Sequence, residues 1–484
     1  MVQTTDIVID IEKQFDLFDF KIRGFNVWWM SRLKTFEVLE FSRKVFNNDS
    51  YKKSSKLVSK LSYFKFIKNI NIIPQKFNKT DILCISNTNL RRDCVDGKYF
   101  DIIFDYIGKY DDKHSYAVLN TLSGRGFIKN YYSNQCYNMS NIALYINLCR
   151  KMYKFILKKE EVKLIVNKFM PVQRYIYDKY SLNINLVEIV LQNTAVIIKG
   201  YKKALKIIKS IQPSVIYVEC AYSPTHLLFV YAAKTLGINV VEFQHGMISE
   251  EHLGYRYNKK IDINDPVPDY LCVFGSHFKR IISGMNIENE LKIIEYGYPY
   301  LFEKIIDNKN MQKKNNKYDF VITTQGELYA NYWCEFVKKL LEYDENINIL
   351  VKIHPNEVMN YKELYGQILN LDRVEFSIFE SVYECLSISK IHLSCYSTCH
   401  YEALIYDVPT FVVKFPGWWY IDCLIEYKVP FVSNVGELFN RLKCKNDIMF
   451  KEFKKDFFNL KNEDLNIEVL KNRIKETNDF FVKE

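Results

Sequence analysis

Glycine and proline are scarce in this chain, with 16 and 11 among 484 residues. Collagen-like and low-complexity architectures need far more of both and are excluded. No apolar run reaches the roughly 18 residues that a membrane-crossing helix needs, so none is expected. Twelve cysteines are present but scattered without paired spacing. Met1–Lys13 is polar and acidic rather than basic and then apolar. A secretory leader is therefore not expected, and a reducing, cytoplasmic setting is. Zinc-finger, basic-zipper and RNA-recognition signatures are also missing, which argues against nucleic acid as a partner.

What is present is globular: 48% hydrophobic and 26% charged residues, in a chain long enough for two cores. Tyrosine (36) and phenylalanine (34) are abundant beside many Lys, Asn and Ile. This reads as a coding bias rather than a binding signal. Net charge is +10, and Tyr51–Thr80 holds eight lysines and no acid, interleaved with Leu57, Leu61, Phe64, Phe66 and Ile67. Lys52–Lys79 is thus a candidate patch for an anionic membrane surface or a polyanionic glycan, against the plainer reading of a solvated helix face.

Short apolar segments alternate with helical ones. Asp81–Ser86 reads as a strand, Asn87–Lys98 as a loop, and Leu144–Ser210 as mostly helix with Pro171 and Gly200 as breakers. After Pro213, strands are expected at Ser214–Cys220, Ile238–Gln244, Tyr270–Gly275 and Leu291–Gly297. A helix over Ser223–Leu236 stops at Gly237. Asp307–Lys317, with four lysines in eleven residues, reads as a linker. From Tyr318 the alternation restarts: strands Asp319–Gln325, Ile347–Pro355, Val374–Ile378, Ile391–Cys395, Thr410–Phe415 and Pro430–Asn434, separated by helices. Such alternation means parallel sheet. The expected fold is α/β with two doubly wound, Rossmann-like domains facing across a cleft. The domains would be 1–306 (with a helical and basic insertion), a linker 307–317, a nucleotide-side domain 318–448, and a helical tail 449–484 that packs back on the first domain.

Polar residues gather where these strands end, the place where open α/β sheets bind ligands. His354, beside Pro355, offers an imidazole N–H to a phosphate. Ser397 and Thr398, with Ser394 just before, open a helix and suit an anion, or simply cap it. Glu402 is one turn beyond Thr398 on the same face and fits a ribose. Gln325 ends a strand, with Gly326 permitting close approach to nucleotide or donor sugar. On the first domain, His245-Gly246 ends a strand. The general base is open among Glu219, Glu250 and Glu251. Gly246, Glu250, Arg91 and Arg92 are the acceptor-side candidates. His392, Cys395, Cys399 and His400 straddle a strand and a helix start without a second cysteine pair, so no metal site is expected.

Four motifs occur in order: Gln244-His245-Gly246; Gly297-Tyr298-Pro299; Lys352-Ile353-His354-Pro355; and Ser397-Thr398 with Glu402-Ala403-Leu404, followed by Pro409. On these residues the chain resembles bacterial GT-B glycosyltransferases of surface polysaccharide synthesis. The groups it looks most like are the capsule 3-deoxy-manno-octulosonic acid (Kdo) transferases, the sialyl- and polysialyltransferases with a His-Pro motif, and the teichoic-acid glycerophosphotransferases. The resemblance spans about Ser214–Asn434, with an echo in Trp28-Trp29 and in Arg91-Arg92. It implies a metal-independent enzyme with no cofactor. The donor would be a nucleotide sugar, CMP-linked by preference and carrying Kdo or sialic acid. The acceptor would be a glycan or a lipid-linked glycan, met at the inner face of the cell membrane. It also implies that His354 binds the donor phosphate and stabilises the leaving group, while His245, read from its place at a strand end, is a catalytic candidate that orients the acceptor or stabilises charge, against the plainer reading of a buried structural histidine. The paired-acid-plus-glycine motif of the sialyltransferases is replaced by Asp96-Gly97 after Val95 and by Gln325-Gly326-Glu327. Alternatives are a CDP-glycerol glycerophosphotransferase, a UDP-sugar 2-epimerase, or a non-catalytic glycan-binding partner of an export machine.

Overall fold

The computed structural model describes residues 3–43, 76–87, 91–95, 97–121, 130–262, 264–285, 291–309, 316–378, 380–444, 447–460 and 466–483. The chain falls into two compact units: Met1–Tyr300 with Glu468–Glu484, and Leu301–Ile467.

The first unit opens with the helix Thr4–Phe15, a two-residue hairpin of β1 (Lys21–Ile22) and β2 (Phe25–Asn26), and the helix Val27–Ser42. Trp28 and Trp29 sit in its core. Its main sheet is entirely parallel and has seven strands: β3 (Ile82–Asn87), β6 (Tyr116–Thr121), β7 (Cys136–Asn138), β8 (Val215–Val218), β9 (Asn239–Phe243), β10 (Tyr270–Val273) and β11 (Lys292–Glu295). They run in the order β11-β10-β9-β8-β3-β6-β7. The expected loop 87–98 instead carries β4 (Arg91–Val95), which pairs antiparallel with β5 (Lys98–Asp101); Gly97, at φ +76°, makes the turn. Sequence reasoning also passed over β6 and β7. β6 lies between strands β3 and β7 and is buried along nearly its whole length, so it lacks the polar alternation that marks a strand.

The expected helix breakers do not break. Pro171 lies inside the helix Lys159–Tyr180, and Gly200 inside the helix Leu186–Ile211. A Cβ at Gly200 would come within 2.6 Å of Leu228. The glycine is there to let this helix press against the helix Pro224–Leu236.

The C-terminal helix Ile467–Lys483 belongs to this first unit. Leu470, Ile474, Asn478 and Phe481 are buried at helical spacing. Asn478 accepts from the Tyr217 hydroxyl (2.9 Å) and donates to Asp111 (2.7 Å), while Phe481 meets the rings of Tyr217 and Tyr270.

The second unit repeats the design with six parallel strands: β12 (Tyr318–Thr323), β13 (Ile349–Lys352), β14 (Val374–Ser377), β15 (Ser389–Ser394), β16 (Thr410–Val413) and β17 (Phe431–Val432). Their order is β14-β13-β12-β15-β16-β17. Phe320, Ile322, Val351, Leu393 and Phe411 pack with Trp333 of the helix Ala330–Tyr343. The helix Phe450–Phe458 lies against Tyr401 through Phe453 and Phe457.

Phe481→Ala should lower unfolding stability by about 3 kcal/mol through lost transfer energy and a cavity. The exposed neighbour change Glu476→Ala should move it by less than about 0.5 kcal/mol. Urea titration followed by tyrosine fluorescence and far-UV dichroism reads both.

Candidate functional site

In both sheets the strand order reverses beside the first strand, and there the outgoing loops diverge to leave a crevice at the carboxyl ends. In the second unit that point lies between β12 and β15. Thr323, the last residue of β12, is 2.9 Å from the Ser394 hydroxyl at the end of β15, and Ser394 donates back to the Thr323 carbonyl at 2.7 Å. The Gln325 amide donates to both the Thr323 carbonyl (2.7 Å) and Ser394. Ser394 is therefore fully buried and engaged in tying the strand ends together. Gln325 is half-buried, its carbonyl taken by the Trp333 indole at 3.3 Å. Gly326 follows at φ +111°, a backbone a side chain would strain.

His354 leaves the neighbouring strand β13. Its backbone N–H donates to the Thr324 hydroxyl (2.9 Å) and to Glu357 (3.2 Å), and its Nδ1 accepts from the Asn356 N–H (3.2 Å). With Nδ1 an acceptor, the ring proton is on Nε2. Burial, the largest cause, holds the imidazole below its usual range against the opposing pull of Glu357. His354 is thus a neutral donor at neutral pH. Glu357 was not picked out from the sequence. It is fully buried and accepts from Thr324, from the His354 backbone and from the Tyr365 hydroxyl at 2.8 Å, so it fixes the whole His-Pro turn. Pro355 is exposed beside it.

After β15 come Ser397, half-buried, and Thr398, exposed, at the start of the seven-residue helix Cys399–Ile405. Ser397 accepts from the Cys399 N–H at 3.2 Å. Thr398 caps the helix without using its side chain. Glu402 is half-buried and bonded by the Cys399 thiol, which burial and this carboxylate push up to about 12. His392 and His400 both reach the Thr410 hydroxyl, at 2.7 and 2.6 Å. Burial holds His400 down to about 3, so both are neutral core histidines.

Sequence reasoning dismissed aromatic richness, and it missed a cluster at this edge. Tyr396 meets Tyr329 at 5.3 Å and Tyr420 at 6.0 Å, and the Tyr420 ring is largely exposed. Gly417, at φ +98°, makes room: a Cβ there would stand 2.9 Å from Tyr396. The only sequence signal is the Gly417 between Pro416 and Trp418-Trp419-Tyr420.

In the first unit the reversal lies between β3 and β8. Glu219 stands there, fully buried, with Asn87 at the end of β3 donating to it at 2.8 Å and His226 Nε2 2.9 Å away. Glu242, in β9, accepts from the Tyr255 hydroxyl (2.9 Å) and the Ala221 N–H (3.2 Å). Burial, with Glu219 nearby, pushes its carboxyl up to about 7. His245 and Gly246 are half-buried; the Gln244 amide donates to the Gly246 carbonyl and fixes that turn. His252 is held down to about 4 by burial and by His245. Glu250 and Glu251 are exposed, Glu251 paired with Arg256 at 3.0 Å. Arg91 and Arg92 lie in β4, and their side chains are outside the described residues.

Two doubly wound parallel sheets, each with polar side chains at its reversal point, define an α/β protein of two Rossmann-like units, the composition of the GT-B fold. No protein-family model matches the chain, and no curated protein matches it in sequence. Among solved structures it is similar to the UDP-GlcNAc 2-epimerase from Neisseria meningitidis bound to UDP-GlcNAc, at 15% identity over 83% of this chain and 100% of that one, TM-score 0.47. It is also similar to the wall teichoic acid polymerase TagF, at 12% identity over 89% and 100%, TM-score 0.44. A third is Anabaena Alr3699/HepE in complex with UDP and glucose, at 11% identity over 82% and 99%, TM-score 0.41.

Glu242 gives a pH signature. The folded state holds its proton up to about pH 7, while the unfolded chain releases it near 4.5. Between those values the folded state binds more protons, so this group makes stability fall as pH rises, by about 3 kcal/mol in all. Glu242→Gln keeps the acceptor oxygen and should flatten that part of the slope, read by urea denaturation from pH 4.5 to 8.

Proposed function

We propose that the chain is a metal-independent glycosyltransferase of GT-B type that moves a sugar from a nucleotide donor to a surface glycan or its lipid-linked precursor. The observation that carries this reading is the reversal point of the second unit. The strands β13, β12 and β15 lie side by side there, so their ends fall within about 10 Å of one another at the usual strand spacing. They bring a neutral imidazole N–H, an exposed threonine hydroxyl, a half-buried glutamine and an open glycine turn to one edge.

In this reading His354 Nε2–H and the hydroxyls of Ser397 and Thr398 take the donor phosphate. Neutral donors suit an oxygen whose charge grows as the sugar departs. Glu402 accepts from the ribose. Gln325 and Gly326 line the donor, while Ser394 holds their strand ends in place. The exposed Tyr420 ring beside Tyr396 offers a face on which a base can stack. The donor is a CMP-linked acidic sugar such as Kdo or sialic acid, a choice that rests on the family resemblance alone. His245 and Gly246 would present the acceptor.

Calorimetric titration with CMP, UDP and CDP tests the reading. CMP should bind preferentially, and His354→Ala should weaken it tenfold or more, since a hydrogen bond to a charged group contributes about 1.5–3 kcal/mol. Preference for UDP would move the assignment to a UDP-sugar 2-epimerase, and preference for CDP to a glycerophosphotransferase. Failure of all three to bind at millimolar concentration would leave a glycan-binding partner of an export machine.

We also place the protein at a membrane surface. Among the described residues no helix is long and apolar enough to cross one. Positions 52–75 of the basic stretch Lys52–Lys79 lie outside the described residues. The support comes from another segment. Leu148, Met152 and Phe155 are 44%, 48% and 86% exposed at helical spacing. Residues 140–159 around them hold five Lys or Arg and no acid. An apolar ridge with a cationic rim fits an anionic lipid surface. Co-sedimentation with vesicles of phosphatidylcholine and phosphatidylglycerol should exceed that with phosphatidylcholine alone. Phe155→Ser should cut it about tenfold. Equal binding to both vesicles, or none, rejects the placement.

A further inference from the structure

The first unit's reversal point carries a feature the sequence did not suggest. Ser223 is the N-cap of the helix Pro224–Leu236, where a serine ordinarily accepts from the second or third helical N–H. Here its side chain makes no such bond. It turns instead to His226 Nδ1, 2.5 Å away. The other ring nitrogen, Nε2, is 2.9 Å from Glu219 Oε2, and Glu219 Oε1 accepts from Asn87 at 2.8 Å. His226 and Glu219 are buried, whereas Ser223 is half-buried. In the tautomer the relay requires, Nδ1 receives the serine O–H and Nε2, beside the carboxylate, carries the ring proton. The contact between Nε2 and Glu219 is short but oblique, as such contacts often are before a substrate closes the site.

A hydroxyl, an imidazole and a buried carboxylate in that sequence can draw a proton off the hydroxyl and hold it. The backbone N–H groups of Thr225 and His226 open the same helix and have no partner in the helical ladder, so they face the same end. The position is the crevice where sheets of this kind bind ligands.

We propose that Ser223, His226 and Glu219 form a proton relay whose half-buried outer end, the Ser223 hydroxyl, takes the proton from the acceptor's attacking hydroxyl. The assignment of that hydroxyl to a glycan acceptor rests on the transferase reading above; the relay itself does not. As the acceptor oxygen bonds to the anomeric carbon, its proton passes to Ser223 Oγ while the serine proton passes to His226 Nδ1. The bond from the anomeric carbon to the nucleotide phosphate breaks, and its electron pair leaves on the phosphate. The imidazolium, steadied by Glu219, later gives its proton to water. Ser223 is the catalytic residue in this step, and His226 and Glu219 act through it. Glu219, fully buried, with Oε1 taken by Asn87 and Oε2 beside His226, is a positioning residue rather than the base that touches the acceptor.

A fluorophosphonate probe tests the relay without knowledge of the substrate. Activated Ser223 Oγ would replace fluoride at phosphorus, fluoride leaving and the proton passing to His226. Peptide mass spectrometry of the full chain should locate the adduct on Ser223. Ser223→Ala should abolish this labelling. His226→Ala and Glu219→Gln should each slow it at least tenfold. Nitrogen-15 spectra of the wild type should show His226 as the neutral Nε2–H tautomer, a readout that needs no variant to fold. Labelling of wild-type Ser223 no faster than in His226→Ala, or an Nδ1–H tautomer, overturns the proposal. The nucleotide titration fails or succeeds separately: an inert Ser223 beside firm nucleotide binding removes the relay and leaves the transferase, and a reactive Ser223 without nucleotide binding does the reverse.

Discussion

A carboxylate shut away from water must be met by donors, because leaving it unmet costs several kcal/mol. This chain buries such groups at the carboxyl edges of both sheets, and their donors are the loops that form the candidate sites. Glu357 gathers Thr324, Tyr365 and the His354 backbone, and so sets the turn that aims the His354 ring. Glu219 accepts from Asn87, joining the two strands at the reversal point, with His226 beside it. Glu242 gathers Tyr255 and the Ala221 backbone. Glu12 does the same deeper in the first unit, holding Arg32 and the Trp28 indole, while Arg32 reaches the carbonyls of Leu253 and Arg256. The turn after β9, with His245 and His252, is thereby held to the helix Val27–Ser42.

The residues that show in the sequence are the ones on display at these edges, not the ones that hold them. His354-Pro355, Ser397-Thr398 and His245-Gly246 were legible because each ends an apolar strand. Glu357 and His226 were not, because a buried acid two residues past a His-Pro pair and a histidine inside an apolar helix carry no local pattern. Ser394 shows the opposite error. It ends a strand as Thr398 opens a helix, yet its hydroxyl is buried and engaged by Thr323 and Gln325. Polarity at a strand end tells where a side chain is, but not whether its hydrogen bonds are already taken.

The fold was legible wherever strands were short, apolar and bounded by turn residues, which covers the second unit almost completely. The first unit was harder for two reasons. Its early strands are separated by a hairpin and a short helix, so the alternation that announces parallel sheet starts clearly only at β8. Its helices also use breakers for packing: Gly200 is placed by the need for Leu228 to approach, a tertiary demand that a local reading cannot see.

The two units share a strand order and differ in what that order exposes. The edge of the second unit presents neutral donors: an imidazole kept uncharged by burial, hydroxyls and an amide. Lys352, the nearest ammonium in the His-Pro motif, is directed to the carbonyls of Ile353 and Ile378 instead. The edge of the first unit gathers buried acids and histidines, among them Glu242, whose carboxyl burial pushes up to about 7. Binding an anion calls for the first kind of surface, and moving a proton calls for the second. In the proposed transferase reading, the second unit holds the phosphate and the first activates the hydroxyl. The division arises without any change of fold, only from which side chains follow the strand ends.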